Sequence, residues 1–407
     1  MSHIDDLIAK FCPGGVELKA LGEIGELVRG NGLPKTDFTE SGVGAIHYGQ
    51  IYTHYGTWTT RTISFVAPKT ASRLAKVDPG DIVITNTSET LEDVCKAVAW
   101  LGDEQIVTGG HATVLKHKQE PKYLAYWLQS PAFQAQKNKL ATGVKVIDVS
   151  AKSLATIKIP VPPVEVQREI VRMLDLLTML ETELEAELEA RRRQYGFYRG
   201  RLLAELQSES VSTTLGDICS QVFSGGTPLS TRREYYNGDI PWLRTQEVRY
   251  LDIFDTEVKI TQAGLNGSAA RWVPVNSVIV AISGAGVTRG RVTVNKIPLT
   301  TNQHCCSLVI DPAKANYRFV YYWLVDRYEE LRLRGQGNRS DLNMGIVKAF
   351  PIVLPSLAEQ NHIVAALENF DALVHDMTIG LPAELAGRRK QYEYYRDRLL
   401  TFKELAA

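Results

Sequence analysis

Cysteine is scarce in this chain of 407 residues: Cys12, Cys95, Cys219, Cys305 and Cys306 are the five, and none forms a Cys-x-x-Cys pair. That spacing excludes a disulfide framework and leaves reduced thiols. No apolar run approaches the roughly 20 residues that span a bilayer. Residues 1–10 carry Asp5 and Asp6 and lack the basic-then-apolar order of a secretory signal, so no membrane and a cytoplasmic location are expected. Catalytic signatures are missing as well: there is no Gly-x-x-x-x-Gly-Lys-Ser/Thr phosphate loop, no Gly-x-Ser-x-Gly, no His-Glu-x-x-His and no Asn/Asp-Pro-Pro-Tyr/Phe. The Gly-rich stretch 283–290 misses the dinucleotide spacing by one residue and reads as a loop. The eight histidines, with His47 and His54 near His111, have no metal-ligand spacing. Cys305-Cys306 beside His304 reads as the start of an apolar strand ending at Ile310 rather than as a nucleophile. Surplus charge is absent too. The 46 Lys and Arg balance 46 Asp and Glu, and taken whole that argues against a nucleic-acid partner, because phosphate contacts need excess cations.

What is present is an ordinary globular composition, 44% hydrophobic and 23% charged, in a chain long enough for about two to four domains. It contains itself twice. The segment 191–203 (RRRQYGFYRGRLL) recurs at 388–400 (RRKQYEYYRDRLL), identical at 9 of 13 positions with an offset of 197. Upstream, 162–171 (PPVEVQREIV) matches 355–364 (PSLAEQNHIV) at an offset of 193, so four residues have entered the second copy between the two matches. Leu21-Gly22-Glu23-Ile24 pairs with Leu215-Gly216-Asp217-Ile218, Gly32 and Pro34 with Gly226 and Pro228, Tyr126-Trp127-Leu128 with Tyr322-Trp323-Leu324, and Asp148 with Asp341. The unit is half the chain, a globular segment followed by a helical one. The globular segments, about 12–158 and 210–350, read as mixed α/β: 81–85 and 277–282 are short apolar runs bounded by breakers, and 121–128 and 317–324 open helices. Polar loops between these elements differ most between the copies, which points to two sites of one kind with different ligands.

The helical segments carry a coiled-coil seam. It runs Ile170, Met173, Leu177, Leu180, Leu184, Leu188, Arg191, Tyr195, Tyr198, Leu202, with one four-residue stutter inside the tandem tetrapeptide 182–189 (TELEAELE). The second copy runs Ile363, Ala366, Phe370, Leu373, Met377, Leu381, Leu385, Arg388, Tyr392, Tyr395, Leu399, with one more interval of four. Gly380 and Pro382 should kink that helix or start a new one at Pro382. An antiparallel intramolecular pair is expected. Tyr195, Tyr198, Leu202, Tyr392, Tyr395 and Leu399 form its partner-helix interface, and seam exposure at Tyr195, Tyr198, Tyr392 and Tyr395 would call for partner chains.

These residues together resemble the specificity subunit of type I restriction-modification systems, over essentially the whole chain. The resemblance rests on the paired Leu-Gly-Asp/Glu-Ile openings, residues 4–17, the segment 240–245 (IPWLRT), and the closing Ile/Val-Pro-x-Pro, Glu-x-Gln, Ile-Val and Gln-Tyr-x-x-Tyr-Arg-x-Arg-Leu-Leu motifs. It implies an α+β fold: two repeated globular target-recognition domains (1–158, with a short N-terminal helix, and 210–350) joined by two long antiparallel coiled-coil helices (159–209 and 351–407), pseudo-twofold. It also implies a non-catalytic subunit in which each domain reads one half of a bipartite double-stranded DNA target. The helices set the spacer and dock two methyltransferase subunits, to which translocase-nuclease subunits are added. S-adenosylmethionine, ATP and Mg are then expected on partner subunits only, with no cofactor or metal on this chain.

On that reading, base-reading candidates in the first domain are Tyr48, Gln50, Tyr52 and Tyr55, then Asn86, Thr87 and Ser88, then His111 and Lys145. In the second they are Trp242, Arg244, Thr245 and Gln246, then Arg289 and Arg291, Asn302, Gln303 and His304, and Asn338 and Arg339. The first domain holds 14 Lys and 3 Arg, the second 4 Lys and 12 Arg. Because Arg makes the bidentate contact to guanine, a G·C-richer second half-site is expected. Split by segment, the zero net charge is a cancellation: the two heads total +5 and the helical segments −5. Much of the phosphate neutralisation is then left to partners. The competing readings are a nuclease or methyltransferase with an unrecognised site, and a coiled-coil adaptor with ligand-binding heads.

Overall fold

A computed structural model describes residues 2–208, 210–284, 288–335, 341–375, 378 and 380–405. The chain forms two compact units, Met1–Leu184 with Leu385–Ala407, and Glu185–Glu384. The division runs through the helices, so each unit owns one globular segment, half of the central helix (Val164–Ala204) and half of the second helical region.

In the first unit the polar–apolar runs pair into two five-stranded sheets. One has the order Gly25–Arg29, Ala112–His117, Ile82–Thr85, Ala97–Trp100, Trp58–Thr59; the other Phe38–Thr39, Ser64–Val66, Val43–Ile46, Ile106–Thr108, Ala75–Val77. Ile82–Thr85 and Ala97–Trp100 are buried along their whole length, as continuous apolar runs inside a sheet must be. The helix Pro121–Trp127 packs its buried Tyr123, Leu124 and Trp127 against Val166, Ile170 and Leu174 of the central helix. Leu399 and Leu400, at the end of the last helix (Leu381–Leu399), join the same core. Arg389 reaches Glu181 at 2.8 Å. Rising numbers on the last helix thus meet falling numbers on the central one, an antiparallel pair.

The second unit repeats the scheme with two four-stranded sheets, Cys219–Ser224, Cys305–Ile310, Val278–Ala281, Val292–Val294 and Lys259–Ile260, Tyr236–Leu243, Leu299–Thr301, Trp272–Val273. Here Tyr195 packs edge-on against His375 (5.8 Å) and Tyr198 stacks on Phe370 (6.0 Å), again antiparallel. The second helical region is two helices, Leu357–His375 and Leu381–Leu399; of the alternatives at Gly380 and Pro382, a new helix is what forms. Met377 lies outside the described residues.

The repeated motifs acquire causes. Gln167 is buried; its amide donates to Pro162 O (2.7 Å) and its oxygen accepts from Glu120 N (3.0 Å), the residue before the domain helix. Gln360 does the same with Pro355 O (2.9 Å) and Asn316 N (2.9 Å). The glutamine at this position of each repeat therefore supplies the helix N-terminus with an acceptor that its own backbone lacks. Nearby, Asp175 takes the Lys122 ammonium and the Tyr126 hydroxyl, both at 2.7 Å, while Glu368 takes Arg318 at 3.1 Å. Each globular domain is bolted to its own part of the helical regions at equivalent positions.

The exposure expected of the seam needs correction. Tyr195 is 4% exposed, Tyr392 and Tyr395 are half-buried beside the first unit's core, and Leu399 is core. Leu203, not Leu202, is the fully buried residue of its turn. The globular segments cover these faces themselves. What stays open is Tyr198, with Phe197 (65%) and Tyr394 (59%), which occupy one position of the two repeats.

Candidate nucleic-acid interface

Four chain segments converge at one place in each unit, three of them joined by the same backbone bonds. In the first unit Asn86 N donates to His111 O (2.8 Å) and Val149 N to Asn86 O (2.9 Å). In the second, Ile282 N donates to His304 O and Leu342 N to Ile282 O, both at 2.9 Å. The fourth segment opens a short helix in both. His47 caps Tyr48–Thr53 by accepting Gly49 N–H on Nδ1 (3.1 Å), and its own N–H donates to Gln50 Oε1 (3.1 Å). Arg244 precedes the turn Thr245–Glu247 and donates its N–H to Glu247 Oε1 (3.1 Å).

On this shared frame the side chains differ. In the first unit the Tyr48 ring lies 5.1 Å from His111 and 4.5 Å from His47. His111, in the left-handed region at φ 65°, shares a hydrogen bond of 3.0 Å with Thr87 Oγ1. The Tyr52 hydroxyl donates to Thr87 O (2.6 Å), and burial pushes that phenol up to about 12. Thr87–Ser88 pairs with Ile147–Asp148, which anchors the exposed loop bearing Lys145. Tyr48, Tyr52, Thr87, Ser88, His111 and Lys145 are thereby gathered. Three first-domain candidates make bonds inside the domain. Asn86 is fully buried between Val149 O (2.7 Å) and Thr113 (2.8 Å), Tyr55 is buried with its hydroxyl accepting Ile63 N–H (3.0 Å), and Gln50 closes the cap and bonds Ser64.

In the second unit Asn302 Nδ2 donates to Thr245 Oγ1 (3.2 Å), and Asn302 Oδ1 accepts His304 N–H (3.1 Å). Gln303 and His304 are exposed, with Gln303 accepting from the Thr227 hydroxyl and lying 3.3 Å from His304 Nε2. Gln246 turns its amide oxygen to Arg244 (3.0 Å). Trp242 is buried, donating to Gly226 O (3.0 Å), and Asn302 is 8% exposed, so both shape the site from below. Arg289 and Arg291 flank the left-handed Gly290 (φ 86°), and Arg291 sits over Tyr250 at 5.7 Å. Asn338 and Arg339 lie outside the described residues.

The arginine count does not carry over to guanine contacts. Arg244 is paired with Glu257 (2.8 Å), Arg318 with Asp252 (2.7 Å), and Arg327, Arg332 and Arg334 with neighbouring carboxylates. The expectation of a G·C-richer half-site therefore rests on fewer arginines than the count of twelve, because a guanidinium already forked onto a carboxylate has few donors left for a base. Cys305 and Cys306 are buried in the strand Cys305–Ile310, and burial pushes both thiols up to about 12, far from a nucleophile at neutral pH.

Two residues that sequence reasoning missed border the sites. Lys35 lies close enough to act on His47, and Thr227 bonds Gln303. Both stand beside the paired Gly32/Pro34 and Gly226/Pro228, so the repeat itself held the signal. His47 must stay neutral to accept from Gly49, and burial, then the positive charges of Lys35 and His111, hold its pKa below the usual 6.5. Burial likewise lowers His117 to about 4. Because these folded-state values are depressed, the stability they confer is complete above about pH 6.5 and is lost as pH falls through the folded values. Thermal midpoints should therefore drop between pH 7 and pH 4. Replacing His47 by Asn, which keeps a capping acceptor, should shrink the drop, whereas His47→Ala should cost about 1 kcal/mol at pH 7. An unchanged pH profile in His47→Asn would refute the assignment.

No helix among the described residues is long and apolar enough to cross a membrane. The family model described as "Type I restriction modification DNA specificity domain" matches residues 13–190 and again 207–386. The specificity subunit of the type I restriction enzyme EcoR124I/EcoR124II of Escherichia coli is 32% identical over 292 residues, 69% of this chain and 70% of that protein. A putative specificity subunit of Haemophilus influenzae is 28% identical over 72% of this chain and 75% of its own length. Among solved structures, a chain from a study of complex assembly in the type I restriction-modification system aligns over 95% of this chain and 98% of its own, with a TM-score of 0.67 at 17% identity. The S subunit of M. genitalium aligns over 94% and 96%, with a TM-score of 0.53 at 15% identity. Two copies of the family's domain in tandem, on a shared frame with different surface side chains, place this chain in the family of type I restriction-modification DNA specificity subunits.

Proposed function

We propose that this chain is the non-catalytic DNA-reading subunit of a type I restriction-modification complex, each globular domain (1–158 and 210–350) reading one half of a bipartite duplex target. The observation that carries it is the repeated four-segment frame, which presents Tyr48, Thr87 and His111 in one unit and Thr245, Gln303 and His304 in the other. Hydroxyl, amide and imidazole groups of this kind discriminate base edges, and Lys35 and Lys145 beside the first frame suit phosphate. The helical regions 159–209 and 351–407 set the spacer. Phe197 and Tyr394, exposed at one position of the two repeats, offer the same aromatic anchor twice, which suits two copies of one methyltransferase partner. S-adenosylmethionine, ATP and Mg chemistry then belongs to partner subunits in the cytoplasm.

The test is a genome-wide methylation map from the chain co-expressed with its methyltransferase subunits. His111→Ala should relax the first half-sequence only, and Gln303→Ala the second only, each by about 1–3 kcal/mol at one base pair. Light scattering should give two methyltransferase subunits per chain. A map with one continuous recognition sequence, or one in which either variant alters both halves, would refute the reading.

A further inference from the structure

Val144 is 97% exposed and Val146 57%, with Lys145 between them also exposed. Apolar side chains this bare are not left so by loose chain ends, because the loop is tightly built. Thr142 N donates to Asp148 O (3.0 Å) and Asp148 N to Thr142 O (2.8 Å), closing the loop on itself. Gly143 takes φ +102°, and a Cβ there would stand 2.0 Å from Val146 O, so only glycine permits the turn. The base of the loop, Ile147–Asp148, pairs with Thr87–Ser88, and Thr87 bonds His111. The frame thus holds two β-branched side chains and a lysine out beside the polar cluster of the first unit.

We infer that Val144 is a specificity-determining residue of the first domain, reading the 5-methyl group of a thymine in the major groove. The inference rests on the DNA-reading function proposed above. The major-groove edge of DNA presents one apolar feature, that methyl group, and a small apolar side chain is what meets it. Wedging between base steps in the minor groove is the work of larger side chains such as Phe, Leu, Ile and Met. Lys145, next in the chain, suits the adjoining phosphate. In the aligned stretch of the second repeat, Gly337, Asn338 and Arg339 carry no aliphatic side chain, so the device belongs to one half-site.

The experiment uses the chain assembled with its methyltransferase subunits and duplexes bearing the mapped target. Each thymine of the first half-site, on either strand, is replaced in turn by deoxyuridine, which removes the methyl group alone. One such replacement should weaken binding by the wild-type complex about fourfold, the worth of one buried methyl. Val144→Ala should weaken binding to the unmodified target similarly and be indifferent to that same replacement, with the second half-site unaffected. Val144→Thr, which keeps one methyl at the same place, should fall between. The inference is overturned if the wild type tolerates every replacement, if Val144→Ala retains the full penalty, or if the first half-site contains no thymine. A wild-type complex with no sequence preference in either half would instead overturn the reading on which the inference rests.

Discussion

Assembled with the methyltransferase subunits proposed above, a chain lacking Ala186–Glu189 is expected to recognise both original half-sequences with the unread interval between them one to two base pairs shorter, and to lose the original site. The four residues lie inside the continuous helix Val164–Ala204, at the point where it passes from one compact unit to the other. Their removal shortens the helix by about 6 Å and rotates its C-terminal half by about 40° beyond a full turn. One base pair of duplex is about 3.4 Å of rise and about 34–36° of twist, from 10–10.5 base pairs per turn. Rise favours a change of nearly two base pairs and twist a change of one. The deletion should fold, because it places Arg191 three residues after Leu184 and removes the stutter, leaving the 3,4 seam unbroken. The side chains lost are Ala186, Glu187, Leu188 and Glu189, of which Leu188 alone is buried; the Glu187–Arg191 and Glu189–Arg193 pairs are exposed and worth little. The checking measurement is again the methylation map. Altered half-sequences at unchanged spacing would show that the helix is not the ruler.

Much of this architecture was legible because duplication writes long-range information into local motifs. The strand at Cys305–Ile310, the helices opening at Pro121 and Tyr317, and a break at Gly380 and Pro382 follow from breakers and periodicity alone. The grouping of the site was legible too, since the loops that differ between copies turned out to share one frame. Which members of each group face outward was not. Asn86 and Trp242 look like loop polar and loop aromatic residues. Asn86 is consumed by Val149, 63 positions away in the chain, and Trp242 by Gly226. Likewise the arginine surplus of the second domain suggests base contacts, but carboxylates such as Glu257 and Asp252 claim several of the guanidinium groups. A burial or pairing partner that lies tens of residues off leaves no periodic trace, so composition counts a side chain as available when the fold has already spent it. Glu-x-Gln shows the opposite case. It was visible as a motif, yet its meaning, an acceptor delivered to a helix start 47 residues upstream, emerges only in three dimensions.

Arg318→Ala should destabilise the second unit by about 3–5 kcal/mol and abolish recognition of the second half-sequence while the first unit keeps its fold. Arg318 is 8% exposed, on the first turn of the helix Tyr317–Asp326. Its guanidinium bridges Asp252 (2.7 Å), which lies a few residues beyond the segment carrying Thr245 and Gln246, to Glu368 (3.1 Å) on the helix Leu357–His375. The rings of Tyr321 and Tyr322 lie 4.7 and 5.3 Å away. Removing the cation leaves two carboxylates facing each other across a site with Lys296, 3.6 Å from Asp252, as remaining compensation. The penalty is therefore chiefly that of uncompensated charge, and Arg318→Met with Glu368→Leu and Asp252→Asn should recover a large part of it. Recovery of stability need not bring back recognition. If the bridge fixes the reading segment on its spacer helix, the triple variant regains its thermal midpoint but binds the second half-sequence with a broadened motif, because Thr245 and Gln246 lose their tie to the helix. Equal recovery of both would mean that Arg318 contributes stability alone. In the counterpart of the first unit, Lys122 with Asp175, the cation is more exposed than Arg318. Lys122→Ala should accordingly cost less, on the order of 1–2 kcal/mol, and blur the first half-sequence rather than erase it.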